Sequence, residues 1–132
     1  MLRLPSKLKM LIVEDDVMIG RMIKDFFNSM AYEFFLATDG KQGLDICLKE
    51  FPNVVITDLM MPGWDGYWLI TELRKLPEFA VTPIVAVTGG TEDMKKRALE
   101  AGAHVVLSKP IDREKFTETV DMLLRSSPFV KR

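Results

Sequence analysis

The sequence predicts an α/β fold in which a doubly wound, five-stranded parallel sheet is covered by five helices. Five short apolar runs rich in β-branched residues alternate with longer segments in which apolar residues recur at helical spacing. Such alternation is typical of parallel strands joined by right-handed crossovers, with helices on both faces of the sheet. The chain of 132 residues, 48% of them apolar, is long enough for one domain with a sizeable core.

The predicted strands are short and contain many valine and isoleucine residues. Runs of this length and composition are typical of strands buried inside a parallel sheet. We predict strands at residues 9–14 (KMLIVE), 32–38 (YEFFLAT), 53–58 (NVVITD), 83–88 (PIVAVT) and 104–108 (HVVLS).

The predicted helices lie between and after these strands. Thr91 and Asp112 are expected to cap the fourth and fifth helices, because such side chains accept hydrogen bonds from the free N–H groups of a first turn. The later three helices are predicted over residues 67–75, 92–101 and 113–125. In the first two, helical spacing is shown by Ile19, Met22, Ile23, Phe26, Phe27 and Met30, and by Leu44, Cys47, Leu48 and Phe51.

Composition excludes several classes of function. With 18 basic and 19 acidic residues the net charge is −1, which predicts no nucleic-acid partner and no anionic membrane surface. A single cysteine excludes an internal disulfide and fits a reducing compartment. No run approaches the roughly 18 apolar residues of a membrane-spanning helix. We therefore expect a cytoplasmic protein with one domain over residues 9–125 and short tails at 1–8 and 126–132.

Polar side chains follow four of the predicted strands. A doubly wound sheet binds its ligand outside the carboxyl ends of its strands, near the point where the winding reverses. Acidic residues that crowd at one edge raise one another's pKa and need a compensating cation. Oxygen ligands of this kind suit Mg²⁺, which completes its coordination with water and phosphate oxygens. The residues concerned are Glu14, Asp15 and Asp16 after the first strand, Asp58 at the end of the third, Thr88 at the end of the fourth and Lys109 after the fifth.

Four motifs, LIVEDD, VVITDLMMPGWDG, VAVTGG and SKP, occur in this order at the ends of the predicted strands. Together they resemble the receiver domains of bacterial two-component response regulators, and the resemblance extends from about Lys9 to Leu124. It implies a flavodoxin-like strand order of 2-1-3-4-5. It also implies a phosphorylation-dependent switch that accepts a phosphoryl group on Asp58 and, apart from its own phosphotransfer and dephosphorylation, is not an enzyme.

The resemblance further implies the roles of individual residues and the partners. The donor would be a sensor histidine kinase or a histidine phosphotransfer protein, and an effector would bind the surface of the fourth helix, fifth strand and fifth helix. Asp58, Thr88 and Lys109 would carry the phosphotransfer chemistry, whereas Glu14, Asp15, Asp58 and the backbone carbonyl of Met60 would hold Mg²⁺.

Elementary chemistry supports these roles. An ionised aspartate can attack phosphorus, and phosphoryl transfer needs chiefly positioning and neutralisation of charge. One alternative is an aspartate-nucleophile phosphatase of the haloacid dehalogenase type, but that chemistry needs a second acid two residues after the nucleophile, where this chain has Met60. Another is a receiver-like interaction module that is not phosphorylated. A stand-alone receiver and a segment of a longer regulator are both compatible with the sequence.

Two positions depart from the family pattern. Many receivers have Tyr or Phe three residues before the lysine, where this chain has Val106, so switching through an aromatic rotamer at this position is in question. Trp64 stands where a second Met is usual, and its ring and that of Trp68 are candidates to cover the pocket or to bind a partner. For four other residues we predict structural roles: helix caps for Asp16 and Asp65, a core position for Cys47 and a structural role for His104.

Overall fold

The computed structural model describes residues 7–126, in which a five-stranded parallel sheet is flanked by five α-helices. The strand order is β2-β1-β3-β4-β5, as the family resemblance implies. The strands are β1 (Leu8–Val13), β2 (Tyr32–Ala37), β3 (Val54–Asp58), β4 (Ile84–Thr88) and β5 (Val105–Ser108). The helices are α1 (Val17–Asp25), α2 (Gly40–Glu50), α3 (Gly66–Arg74), α4 (Glu92–Ala101) and α5 (Arg113–Ser126), with a short 3₁₀ helix at Pro77–Phe79.

Each strand alternates its side chains between two cores. Leu11 and Val13 of β1 belong to the core beneath α2, α3 and α4, whereas Met10 and Ile12 belong to the core beneath α1 and α5. Side chains alternate because successive residues of a strand point to opposite faces of the sheet. The central strand β3 is buried along its whole length. Its two covered faces explain why the run is almost continuously apolar.

The helix ends follow from local hydrogen bonds. Oδ1 of Asp16 accepts hydrogen bonds from the backbone N–H of Met18 and Ile19, at 2.9 and 3.3 Å, which confirms its prediction as a cap. Thr91 and Asp112 likewise cap α4 and α5 as predicted. None of the helices within residues 7–126 is long and apolar enough to cross a lipid bilayer.

The predicted first helix was too long. It ends at Asp25, and the backbone N–H of Phe26 and Phe27 donate to carbonyls one turn back. The side chain of Asn28 then accepts a hydrogen bond from Met30 N and stabilises a turn. Apolar spacing continues beyond the helix because the rings of Phe26 and Phe27 pack against Phe116 of α5, with centroids 6.2 and 6.1 Å apart.

The ends of the domain differ slightly from the prediction. β1 begins at Leu8, which had been assigned to the tail at 1–8, and α5 extends to Ser126, which had been assigned to the tail at 126–132. The rest of both predicted tails, apart from Lys7, lies outside the described residues.

Candidate functional site

An open pocket of about 570 Å³ lies at the carboxyl edge of the sheet, where β1, β3, β4 and β5 end. Its position agrees with the rule that doubly wound sheets bind ligands where the winding reverses, because β1 and β3 are neighbours there. All the residues that were predicted to carry chemistry line this pocket: Glu14, Asp15, Asp58, Met60, Thr88 and Lys109.

Asp58 lies at the floor of the pocket and is positioned by hydrogen bonds. It is the last residue of β3 and only 7% exposed. The hydroxyl of Thr57 donates to the carbonyl oxygen of Asp58 at 2.8 Å. The side-chain Oδ1 accepts a hydrogen bond from the backbone N–H of Met60 at 3.3 Å. Hydrogen bonds thus position the backbone and one carboxylate oxygen of Asp58.

Lys109 lies between two buried carboxylates. Its Nζ donates to Oδ2 of Asp58 at 3.0 Å and to Oε1 of Glu14 at 3.3 Å. Partial burial alone would lower the pKa of Lys109, but the hydrogen bond to Asp58 and the attraction of both carboxylates outweigh it and raise the pKa. The lysine is therefore a fixed positive charge in the pocket. Its backbone N–H donates to the carbonyl of Thr88 at 2.9 Å, which couples the ends of β4 and β5.

The surroundings of Glu14 destabilise the charged form of its carboxyl group. Its Oε2 is buried and has no hydrogen-bond partner among residues 7–126. Burial, the proximity of the Asp15 and Asp58 carboxyl groups, and repulsion by Asp58 together raise the pKa of Glu14 to about 7, against a smaller lowering by Lys109. A single ammonium group thus compensates the two buried acids only in part.

The acids form a group that suits a hard cation. One carboxylate oxygen from each of Glu14, Asp15 and Asp58 lies within 4.8 Å of the others. Asp15 is exposed, whereas the other two are buried. An unpartnered buried oxygen together with an exposed carboxylate fits Mg²⁺, which prefers few carboxylate ligands and keeps several waters.

Thr88 completes the opposite wall of the pocket. It is fully buried, and its Oγ1 accepts a hydrogen bond from the backbone N–H of Gly90 at 3.0 Å. Gly90 and Met94 also line the pocket, and sequence reasoning did not assign them a role. The VTGG motif marked the glycine, but nothing in the sequence distinguished Met94 from other apolar helix residues.

The expectation that Trp64 covers the pocket is not met in this structure. Trp64 is not among the residues that line it; the residue is 48% exposed, and the centroid of its ring lies 6.1 Å from that of Trp68. The backbone explains this position, because the carbonyl of Trp64 accepts a hydrogen bond from Gly40 N at 2.7 Å, which draws the loop toward α2.

Three residues have the structural roles that were predicted. Asp65 caps α3 by accepting a hydrogen bond from Trp68 N at 2.9 Å. Cys47 is fully buried in the core. Nδ1 of His104 lies 3.2 Å from Ile84 N and 3.1 Å from Nη2 of Arg74, so the ring links β4 to α3.

The fold and the pocket together define a flavodoxin-like α/β domain that carries an acid cluster and a lysine at the switch point of its sheet. The family model of the response regulator receiver domain matches residues 10–121, and the chain belongs to this family. Receiver domains of this family are the phosphorylation-dependent switches of two-component signal transduction, and in general they are not classical enzymes.

The chain matches almost the whole length of one similar protein and about half of another. Over 116 residues the chain is 33% identical to sporulation initiation phosphotransferase F of Bacillus subtilis. The alignment covers 88% of this chain and 93% of that protein. The chain is 34% identical to the probable transcriptional regulator ycf27 of Cyanophora paradoxa, over 91% of this chain and 49% of that protein. The chain thus spans about half the length of this second relative.

The fold is also similar to solved structures. A putative response regulator from Chloroflexus aurantiacus superimposes with a TM-score of 0.86 at 30% identity, over 91% of this chain and 99% of that one. The chemotaxis response regulator CheY4 of Vibrio cholerae superimposes with a TM-score of 0.82 at 28% identity, over 89% of this chain and 99% of that one.

Proposed function

We propose that the protein accepts a phosphoryl group on Asp58 from a phosphohistidine of a sensor kinase or phosphotransfer protein, and that the modification changes its binding of an effector. The observation that carries this proposal is the contact of Lys109 with the buried Asp58 in a pocket that opens at the carboxyl edge of the sheet. The pocket combines a positioned nucleophile with a fixed positive charge, the two features that phosphoryl transfer requires.

In the proposed reaction, an electron pair on a carboxylate oxygen of Asp58 forms the new O–P bond. The P–N bond to the donor imidazole breaks, and the imidazole nitrogen keeps the electron pair of that bond. Lys109 is placed to neutralise charge on the phosphoryl oxygens. Thr88 Oγ1 accepts its hydrogen bond from Gly90 N, so its own proton can be donated to a phosphoryl oxygen. Attack of water on the phosphorus of the acyl phosphate would break the bond between Asp58 and phosphorus, release inorganic phosphate and return Asp58 to its free carboxylate.

The residues that would hold Mg²⁺ are Glu14, Asp15, Asp58 and the carbonyl of Met60. The chemistry of the donors supports this assignment, because the buried Oε2 of Glu14 has no hydrogen-bond partner in the described part of the chain and the three carboxylates converge. When bound, the ion would neutralise negative charge on the carboxylates and on the phosphoryl oxygens.

Two observations weigh against the alternatives. The side chain two residues after Asp58 is that of Met60, 61% exposed, which cannot act as the second acid of an aspartate-nucleophile phosphatase. Burying the carboxylate of Glu14 with only partial compensation from Lys109 destabilises the folded protein. A receiver-like module that is not phosphorylated would have no need of this arrangement. The proposed role therefore remains that of a cytoplasmic phosphoacceptor, with α4, β5 and α5 as the effector surface.

The test is phosphorylation by a small donor. Incubation with acetyl phosphate and Mg²⁺ should add one phosphoryl group, seen by intact-mass spectrometry, and chelation of the metal should prevent the addition. Asp58→Asn should abolish labelling. Asp45→Asn, at an exposed position on α2, is the matched control and should be labelled normally. Undiminished labelling of Asp58→Asn would place the acceptor elsewhere and overturn the proposal.

A further inference from the structure

The aromatic side chain that packs next to α4 is that of Tyr67 on α3, whereas β5 has Val106 at the position where many receivers have an aromatic residue. Val106 stands three residues before Lys109, is half-buried and packs against the core beneath α2, α3 and α4. Tyr67, in the first turn of α3, is buried in the same core. The aromatic ring that β5 lacks at position 106 is thus present in the same core on a different element.

Tyr67 contacts α4 at two points. Its hydroxyl donates a hydrogen bond to the carbonyl oxygen of Met94 at 3.0 Å. The guanidinium carbon of Arg97 lies 4.2 Å from the centroid of its ring, within the range of a cation–π contact. Burial raises the pKa of Tyr67 against a smaller lowering by Arg97, so the hydroxyl stays protonated and remains a donor. One side chain therefore holds the first half of α4 against α3.

The backbone connects Tyr67 directly to Asp58. The preceding residue, Gly66, donates a hydrogen bond from its N–H to the carbonyl of Leu59 at 3.2 Å. A Cβ atom at Gly66 would collide with the carbonyl oxygen of Asp58 and lie 2.9 Å from the Cα of Leu59. The start of α3 therefore rests on the backbone of the proposed phosphoacceptor, and a displacement of either one moves the other.

Met94 provides the connection to Thr88. Its thioether lies against Gly90, where an added Cβ would collide with the sulfur and lie 2.9 Å from Cε. The N–H of the same glycine donates to Oγ1 of Thr88. Contacts that start from Asp58 and contacts that start from Thr88 thus meet at the hydrogen bond between Tyr67 and Met94.

We propose that Tyr67 couples the phosphorylation pocket to α4: its contacts with Met94 and Arg97 hold α4 in the position of the unphosphorylated protein, and filling of the pocket releases them. This inference rests on the proposed function. A phosphoryl group on Asp58 that accepts a hydrogen bond from the Thr88 hydroxyl draws Oγ1 toward it, and Gly90, whose N–H donates to this oxygen, is drawn along. The segment from Gly90 to Met94 then shifts, and the carbonyl that Tyr67 contacts shifts with it. The effector surface would change because α4 is part of it.

The test is amide hydrogen exchange of α4, followed by mass spectrometry with and without Mg²⁺ and beryllofluoride, a phosphoryl analogue. Tyr67→Phe keeps the ring over which Arg97 lies but removes the hydrogen bond to Met94. In the free protein this variant should exchange the amides of α4 about 3- to 10-fold faster, the effect expected for one lost hydrogen bond. The analogue should increase exchange in the parent protein, and this increase should be smaller in the variant.

Tyr32→Phe is the matched control, since it makes the same chemical change at the second of the two tyrosines, on the edge strand β2. Exchange in α4 should be unaffected by it. A Tyr67→Phe protein with exchange in α4 identical to that of the parent, both free and with the analogue, would overturn the inference. Labelling by acetyl phosphate, measured on the same samples, separates the two proposals. If the parent is labelled but α4 does not respond, only the coupling is refuted, whereas an unlabelled parent refutes the proposed function.

Discussion

Nζ of Lys109 lies 3.0 Å from Oδ2 of Asp58, although the two residues are 51 positions apart in the chain. The contact exists because β3 and β5 both border β4 and present their carboxyl ends at the same edge of the sheet. The contact places the ammonium group of Lys109 beside the proposed nucleophile, where negative charge would accumulate during phosphoryl transfer.

Lys109→Met should therefore slow labelling by acetyl phosphate by at least about tenfold, since fixed donors aimed at developing charge typically contribute that much or more. The measurement is the rate of mass increase at saturating Mg²⁺. Lys115→Met is the control, because this lysine lies in the first part of α5 and is exposed. Equal rates for the parent and Lys109→Met would show that the contact is structural and not part of the chemistry.

The carboxyl of Glu14 should make the stability of the metal-free protein depend on pH. Its pKa is raised from 4.5 to about 7 in the folded protein, so its contribution to the free energy of unfolding is complete below pH 4.5 and is lost as the pH rises through about 7. Glu14→Gln removes this loss. In urea denaturation the variant should be more stable than the parent at about pH 8, by up to about 3 kcal/mol, and the difference should shrink toward pH 4.5.

Magnesium should reduce that difference in stability between the parent and Glu14→Gln. At about pH 8 the ion should stabilise the parent more than Glu14→Gln, because it binds only the folded state and the variant offers a weaker ligand. Glu33→Gln, an exposed position on β2, is the control and should follow the parent under all conditions. A parent that stays equally stable from pH 5 to about 8 without metal would contradict the raised pKa.

Much of this site was predictable because it depends on strand ends alone. Parallel strands bring their carboxyl ends to one edge, so Glu14, Asp58, Thr88 and Lys109 were placed together without knowledge of the packing. The contact of Tyr67 with Met94 was not predictable, since it depends on how closely α3 approaches α4. The fold shows the same division. β3 ends at Asp58 as predicted, whereas the first helix is shorter than predicted, because Phe26 and Phe27 continue its apolar spacing beyond its end and pack against Phe116 of the core.

The neighbouring acids Asp15 and Asp16 should differ in metal binding. Both are exposed and both line the pocket, but Asp16 accepts hydrogen bonds from the first turn of α1, whereas Asp15 belongs to the group of three carboxylates. Asp15→Asn should weaken Mg²⁺ binding by about tenfold or more, because a neutral amide replaces a carboxylate ligand. Asp16→Asn should leave it almost unchanged, since asparagine caps a helix as well as aspartate does. Isothermal calorimetry measures both, and equal losses would contradict the assignment of Asp15.

Gly66→Ala and Gly63→Ala should separate close packing from backbone strain in the loop after Asp58. At Gly66 a methyl group would collide with the carbonyl oxygen of Asp58, and backbone atoms cannot move aside as a flexible side chain can. At Gly63 the methyl group meets nothing within 4 Å, and only the φ of +77° disfavours alanine. We expect Gly63→Ala to cost about 1 kcal/mol in the free energy of unfolding. Gly66→Ala should cost more, about 1–3 kcal/mol, and it should also slow labelling of Asp58, because relief of the collision displaces the nucleophile.

Urea denaturation and the labelling rate test both variants. If Gly66→Ala kept the parent's labelling rate, the start of α3 would not be coupled to Asp58, and the link from the pocket to Tyr67 would lose its first step.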